Sequence, residues 1–394
     1  MTPSGAAPAG AVPLAARAPA PDAARGAMLL LIALANVHLY LFGRPLGVRS
    51  YPAGLDGADR VVAFLQLVLV DGRAYPLFGV LFGYGIGQLT ARRTAAGVPA
   101  TAVVALVRRR GLVLVVIGAL HAVLLWPGDI VAAYGVLAVL FAGVLVAGTV
   151  VSLATTVMVG GVLGALLGAF SGFSPRGTAP LPSVADGDPL AALAARVVEW
   201  GGNVLLGSVL SVVGTVALGA WAARHRLLDG DLPRRPARHR RLLSGVAAGG
   251  LAAAVLGGLP LALAATGAWS PGTGALLLAG TAHTLGGYAG GLGYAAAFGL
   301  LAVGPGPGPV VRALAACGQR SLSCYLGQSV LFVALLPAWT LGLGARLGVA
   351  QAALLAVAVW LVLLAVAVAS ARAGYRGPAE VLLRRFTYGR RPHR

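Results

Sequence analysis

His121 and Asp129, an imidazole and a carboxylate eight residues apart, are the groups in this sequence best suited to moving a proton. They bracket the turn Trp126 Pro127 Gly128 Asp129, which joins two apolar runs within residues 111–140, and Asp129 is the sole charge in that stretch. A histidine positioned by a carboxylate is the usual general base toward a hydroxyl or amine. An ionisable group deep in an apolar helix points to function. A second use of each residue is equally consistent with the spacing. Asp129 directly precedes an apolar helix, where a carboxylate caps free backbone N–H groups, and His121 can be a histidine satisfied at a helix contact. Further polar or aromatic groups within or beside apolar runs are Asn36, His38, Trp126, Asn203, His283, Tyr288 and Gln328. Brought together, they would line a substrate cavity. Cys317 and Cys324 are seven apart on one predicted helix, about 10 Å along its axis, too far to bridge. No Cys/His spacing suggests a metal.

The elements that must position these groups are transmembrane helices. Of 394 residues 58% are hydrophobic and 10% charged, with mean hydropathy +0.86, against about 25% charged residues in soluble domains. A net charge of +19 raises the question of nucleic acid, but the arginines sit in short segments between apolar runs, the pattern of cytoplasmic membrane loops. At about 20 residues per crossing, the pattern predicts an all-α polytopic bundle of about ten transmembrane helices. Residues 1–24 read as a disordered N-terminal tail, 25–371 as the transmembrane domain, and 372–394 as a basic cytoplasmic tail carrying a short interfacial helix. Within the domain, 61–70 reads as a re-entrant or interfacial helix. The glycines Gly79, Gly83 and Gly87 form a stripe for close helix packing. With both termini cytoplasmic, 23 arginines fall inside and 7 outside, as the positive-inside rule requires. The predicted location is a bacterial cytoplasmic membrane, in contact with its lipids.

Several stretches together resemble the YeiB family of bacterial membrane proteins, whose C-terminal half is the domain of unknown function 418, here within 228–394. They are Arg25 Gly26 with Asn36 Val37, then Leu81 Phe82 Gly83 Tyr84 Gly85, and Gly118 Ala119 Leu120 His121 with Trp126 Pro127 Gly128 Asp129 Ile130. Near the end come the run from Gly318 Gln319 Arg320 to Gly327 Gln328 Ser329, then Gly377 Pro378 Ala379 Glu380 and the run from Leu383 to Gly389. The family is similar in outline to membrane acyltransferases that take a cytoplasmic acyl-CoA and acylate an acceptor at the opposite face. Those begin with Arg-Gly and an inward histidine about three turns later. Here that position is Asn36, and His38 follows two residues on, rotated by about 200°, so the catalytic assignment moves to His121.

The resemblance implies an acyl-CoA-dependent acyltransferase with an extracytoplasmic or membrane-embedded acceptor, a small molecule or glycan. His121 would be the base and Asp129, or a residue of another helix, its orienter, with Asn36 or Asn203 donating to the oxyanion. Arg25, Arg92, Arg93, Arg108, Arg109 and Arg110 would meet the CoA phosphates; topology signalling and lipid contact are their other uses. No metal is called for. The alternatives are a small-molecule transporter or lipid flippase, with an unwound site in the glycine-dense stretch 285–294, and a non-catalytic membrane component.

Overall fold

A chain this apolar can satisfy its backbone polar groups away from water only within each segment, and helices follow. A computed structural model of the chain describes residues 19–229, 237–301 and 308–389. The helices are α1 (Pro19–Val37), α2 (Gly57–Leu69), α3 (Ala74–Ala95), α4 (Ala100–Leu124), α5 (Val131–Leu140), α6 (Ala142–Ala147), α7 (Val150–Ala169) and α8 (Pro182–Ala185). They continue with α9 (Pro189–Glu199), α10 (Leu205–Arg224), α11 (Ala237–Ala265), α12 (Thr273–Leu301), α13 (Pro309–Gly318), α14 (Ser321–Leu335), α15 (Val349–Arg372) and α16 (Pro378–Tyr388). Among the described residues there is no strand, only a bridge between Leu46 and Pro52.

Among the described residues, six stretches are long and apolar enough to cross a membrane: Pro21–Tyr40, Gly57–Ala95, Val150–Gly172, Leu205–Arg224, Ala237–Ala265 and Val349–Arg372. Large apolar side chains on outward faces remain exposed, among them Met158, Leu256, Leu278 and Leu354, as expected of surfaces that face lipid rather than water. Helix α5 ends at Leu140, where the expected run ends, and α6 follows after Phe141, whereas the run that holds the two cysteines is broken at Gln319–Arg320 between α13 and α14. That break changes a sequence expectation. Instead of standing two turns apart on one helix, Cys317 and Cys324 lie on different helices on either side of the bend, buried in one apolar cluster.

Glycines set the closest approaches. A Cβ on Gly83 would collide with the Val216 carbonyl of α10, and one on Gly219 with the Val80 carbonyl of α3, so the two backbones are in mutual contact. The same reciprocity joins α11 and α12: Gly257 lies on the Ala282 carbonyl and Gly286 on that of Ala253. The stretch 285–294 is therefore unbroken helix, and its glycines serve packing rather than an unwound site. At the other end of the chain, α1 begins at Pro19, within the segment expected to be tail, because Asp22 and Gly26 pack directly against Gly318 and Leu314 of α13. Residues 1–18 lie outside the described residues.

Replacing Gly83 with leucine forces α3 and α10 apart, an overpacking cost of about 1–3 kcal/mol. The expected outcome is a lowered thermal midpoint of purified protein in detergent, whereas the same change at Gly85, where Arg25 is the one neighbour within reach of a Cβ, has a smaller effect.

Candidate functional site

His121 lies in the last turn of α4, one turn after Gly118, on the same face. A Cβ at Gly118 would collide with Ala132 N and Asp129 Oδ1, so glycine there is what lets the turn carry Asp129 back onto α4. The result is a hydrogen-bonded pair, His121 Nδ1 to Asp129 Oδ2 at 2.7 Å. The second carboxylate oxygen accepts the backbone N–H of Ala132 at 2.6 Å, so Asp129 both orients the imidazole and caps α5. A carboxylate at Nδ1 fixes the ring proton there and leaves Nε2 as an acceptor. Nε2 is met by the Ser329 hydroxyl of α14 at 2.8 Å. All three residues are buried, His121 at 3%, Asp129 at 0% and Ser329 at 5% exposure. The Tyr325 ring, one turn before Ser329, packs against the imidazole with centroids 4.8 Å apart.

A cavity of about 820 Å³ opens at the end of the bundle where α1, α4 and α14 begin and α3 finishes. Its lining carries Arg92, Arg226 and Arg376, which are exposed, Arg25, Arg110 and Arg384 with the carboxylates Asp229 and Glu380, which are half-buried, and the buried Arg320 and Asp22. Its walls are apolar, including Ile32, Phe78, Phe82 and Leu114, and it is also lined by Ile130, Val131 and Tyr325, the neighbours of Asp129 and His121. The α16 helix forms one side. Glu380 accepts the N–H groups of Leu322 and Ser323 at 2.8 and 3.2 Å, and so caps α14 with a charge suited to a helix N-terminus. Outward on α16, Val381, Leu382 and Phe386 are exposed. Arg25 also pairs with Asp22 at 2.7 Å. Opposite α16, Asp229 accepts from Arg226 Nε at 2.7 Å, Tyr84 at 2.7 Å and Gln88 at 3.1 Å. Burial works against its charge, but these hydrogen bonds, with the Arg226 cation, outweigh it and hold the carboxyl below its ordinary range.

The remaining expected residues are distributed as follows. Arg93, Arg108 and Arg109 lie outside the cavity lining, and Arg108 and Arg109 are exposed on α4. The Asn36 amide donates to the Ile32 carbonyl of its own helix at 2.8 Å. His38 is stacked on Tyr51, ring centroids 4.1 Å apart, and Trp126 on Tyr40 at 4.2 Å. The Gln328 amide donates to the Leu29 carbonyl at 2.9 Å, tying α14 to α1, and the Tyr288 hydroxyl to that of Ser211 at 2.8 Å. The Asn203 side chain lies outside the described residues. His283 belongs to another buried cluster. There Arg49 binds Asp71 through two nitrogens at 2.8 and 3.2 Å, His283 lies 3.4 Å from the same carboxylate, and Arg73 donates to the Ala254 carbonyl at 2.6 Å. Ser329, Arg49, Asp71 and Glu380 are the polar contacts that reading the sequence did not assign. For Asp71 the signal was the charged triplet Asp71 Gly72 Arg73 interrupting two apolar runs.

Residues 229–390 match the model of a family described as protein of unknown function, DUF418. No curated protein and no solved structure matches the chain. The DUF418 segment supplies Ser329, Tyr325, Arg320 and all of α16, while His121, Asp129, Arg25 and Arg110 precede it. The site is thus assembled from both sides of the boundary of the match, and the DUF418 segment taken alone contains only part of it.

Two outcomes are expected. Asp129→Ala strands the Nδ1–H of His121 and the N–H of Ala132 in an apolar interior at about 1–3 kcal/mol, seen as a lower unfolding midpoint, while Asp129→Asn keeps an acceptor and loses less. For Asp229, a depressed folded-state pKa means stability that is present above about pH 4 and lost as pH falls through the folded value. Tyr84→Phe should flatten that loss in thermal midpoints recorded between pH 6 and pH 3.

Proposed function

We propose that this multi-pass membrane protein transfers an acyl group from acyl-CoA to an acceptor outside or within the membrane. The observation that carries the reading is the continuity of one cavity from an arginine-lined mouth, along apolar walls, to the side chains packed on His121 and Asp129. Such a space matches an anionic head joined to an apolar chain. Guanidinium groups bind phosphates in pairs of parallel hydrogen bonds, and the volume falls within the range of small-molecule sites. Arg25, Arg92 and Arg110 line it as the donor reading requires; Arg320, Arg376 and Arg384 extend the same field. The His121–Asp129 pair supplies the base that an attacking hydroxyl needs.

The distribution of arginine supports an orientation with the cavity mouth and both termini on the cytoplasmic side, and a count of ten crossings in which α5 with α6 and α13 with α14 each make one. Acyl-CoA would then enter from the cytoplasm. His121 is 11 residues beyond Arg110 on α4, about 16 Å farther along the axis, so the transferred group would be delivered toward the opposite face. The unbroken α12 takes away the unwound site on which the transporter reading relied.

The test uses full-length protein in lipid nanodiscs with acetyl-CoA and palmitoyl-CoA, following release of free thiol in the presence of hydroxyl acceptors. His121→Ala should lower the rate by about 10²–10⁴-fold, and Arg110→Gln should weaken donor binding with the folded state unchanged. Equal thiol release by the wild type and the His121→Ala variant would contradict the proposal.

A further inference from the structure

The proton acceptor of His121 is already engaged. Its Nε2 faces the Ser329 hydroxyl at 2.8 Å, and its Nδ1 is held by Asp129 at 2.7 Å. Three residues from α4, the following turn and α14 thus form one chain, carboxylate to imidazole to hydroxyl, with separations in sequence of 8 and 208. The proton this imidazole is placed to take is that of Ser329. A serine hydroxyl becomes a nucleophile when an adjacent base is itself oriented by a third group, and that constellation is recognised by geometry rather than by order in the chain.

We propose that Ser329 is the nucleophile of the site and carries the acyl group as an ester between donor and acceptor; the proposal rests on the acyl-transfer reading above. In the first half, Ser329 Oγ attacks the thioester carbonyl carbon as its proton passes to His121 Nε2. The C–S bond breaks, and the departing sulfur takes that proton to leave as free thiol. In the second half, an acceptor hydroxyl gives its proton to Nε2 while its oxygen attacks the ester carbonyl. The C–Oγ bond breaks and the proton returns to Ser329. Asp129 remains a carboxylate throughout and steadies the imidazolium in both halves. Access from the donor side runs past Tyr325, which lines the cavity and packs on the imidazole. An ester on Ser329 would let donor and acceptor be handled in succession rather than together.

The experiment treats full-length protein in nanodiscs with a fluorophosphonate, a general trap for activated serines, and separately with radiolabelled acetyl-CoA followed by acid quench. Peptide mass spectrometry locates the adduct. The expected result is a single adduct on Ser329, an acetyl label released by hydroxylamine, and loss of both in Ser329→Ala and His121→Gln. Because the three residues act as a unit, Ser329→Ala, His121→Ala and the double variant should share one residual rate of thiol release. A purely structural hydrogen bond would give different and additive losses. Ser329→Cys, folded by its thermal midpoint, should carry the acetyl group as a thioester, which guards against misfolding of the alanine variant. Wild-type thiol release by folded Ser329→Ala overturns the covalent step and leaves the base role of His121 standing. A fluorophosphonate adduct on Ser329 without thiol release from any acyl-CoA supports the nucleophile and overturns the CoA donor. No adduct from either reagent on folded wild type overturns the proposal.

Discussion

A carboxylate with no contact to solvent, held among apolar helices, must have its oxygens satisfied by the protein itself. Asp129 meets that condition with one oxygen on an imidazole and the other on a backbone N–H, and much of the surrounding architecture follows from it. Gly118 must be a glycine for the turn to come close enough. The second imidazole nitrogen then needs a donor, and the neighbouring helix provides one in Ser329. The hairpin of α4 and α5 and the kinked pair α13 and α14 are thereby joined through three side chains and not only by apolar contact.

The two ends of the bundle solve the problem of buried charge in different ways. In the cluster of Arg49, Asp71 and Arg73, Arg49 pairs with the Asp71 carboxylate while Arg73 donates to the backbone carbonyls of Asp71 and Ala254, and the cluster binds the turn before α3 to α11. A charge set joined in this way acts as a brace. Around the cavity, seven arginines and three carboxylates share the lining, with Arg25 paired to Asp22 and Arg226 to Asp229. The excess of positive charge there, combined with apolar walls behind it, is the basis of the proposed preference for anions that carry a hydrocarbon part. The α16 helix completes the mouth by capping α14 through Glu380 and leaves its own apolar side outward, an arrangement suited to a helix lying on a membrane surface.

Much of this was legible in the sequence wherever the signal was local. The membrane class followed from hydropathy, the packing role of Gly79, Gly83 and Gly87 from their spacing, and the pairing of His121 with Asp129 from a turn of four residues between apolar runs. Contacts that depend on the tertiary arrangement were not legible. Ser329 sits 208 residues from its imidazole partner, and its hydroxyl also lies 3.5 Å from the Tyr325 carbonyl of its own helix, the local bond that a lone serine in an apolar helix usually makes. Glu380, four residues before Arg384 in the sequence, reaches across to α14. The break at Gln319–Arg320 carries no proline, so the cysteines on either side of it read as lying on one straight helix. The segments 230–236 and 302–307, rich in Arg, Pro and Gly, lie outside the described residues.

Whether the cavity leads acyl-CoA to Tyr325 and, behind it, to the Asp129–His121–Ser329 chain is decided by a cryo-electron microscopy structure in nanodiscs with a thioether analogue of acyl-CoA. The expected density has the analogue's phosphates among Arg25, Arg110 and Arg384, its sulfur beside Tyr325 and its acyl end approaching Ser329. An empty cavity at saturating analogue, or an analogue seated with its acyl end turned away from Tyr325 toward lipid, would contradict that path.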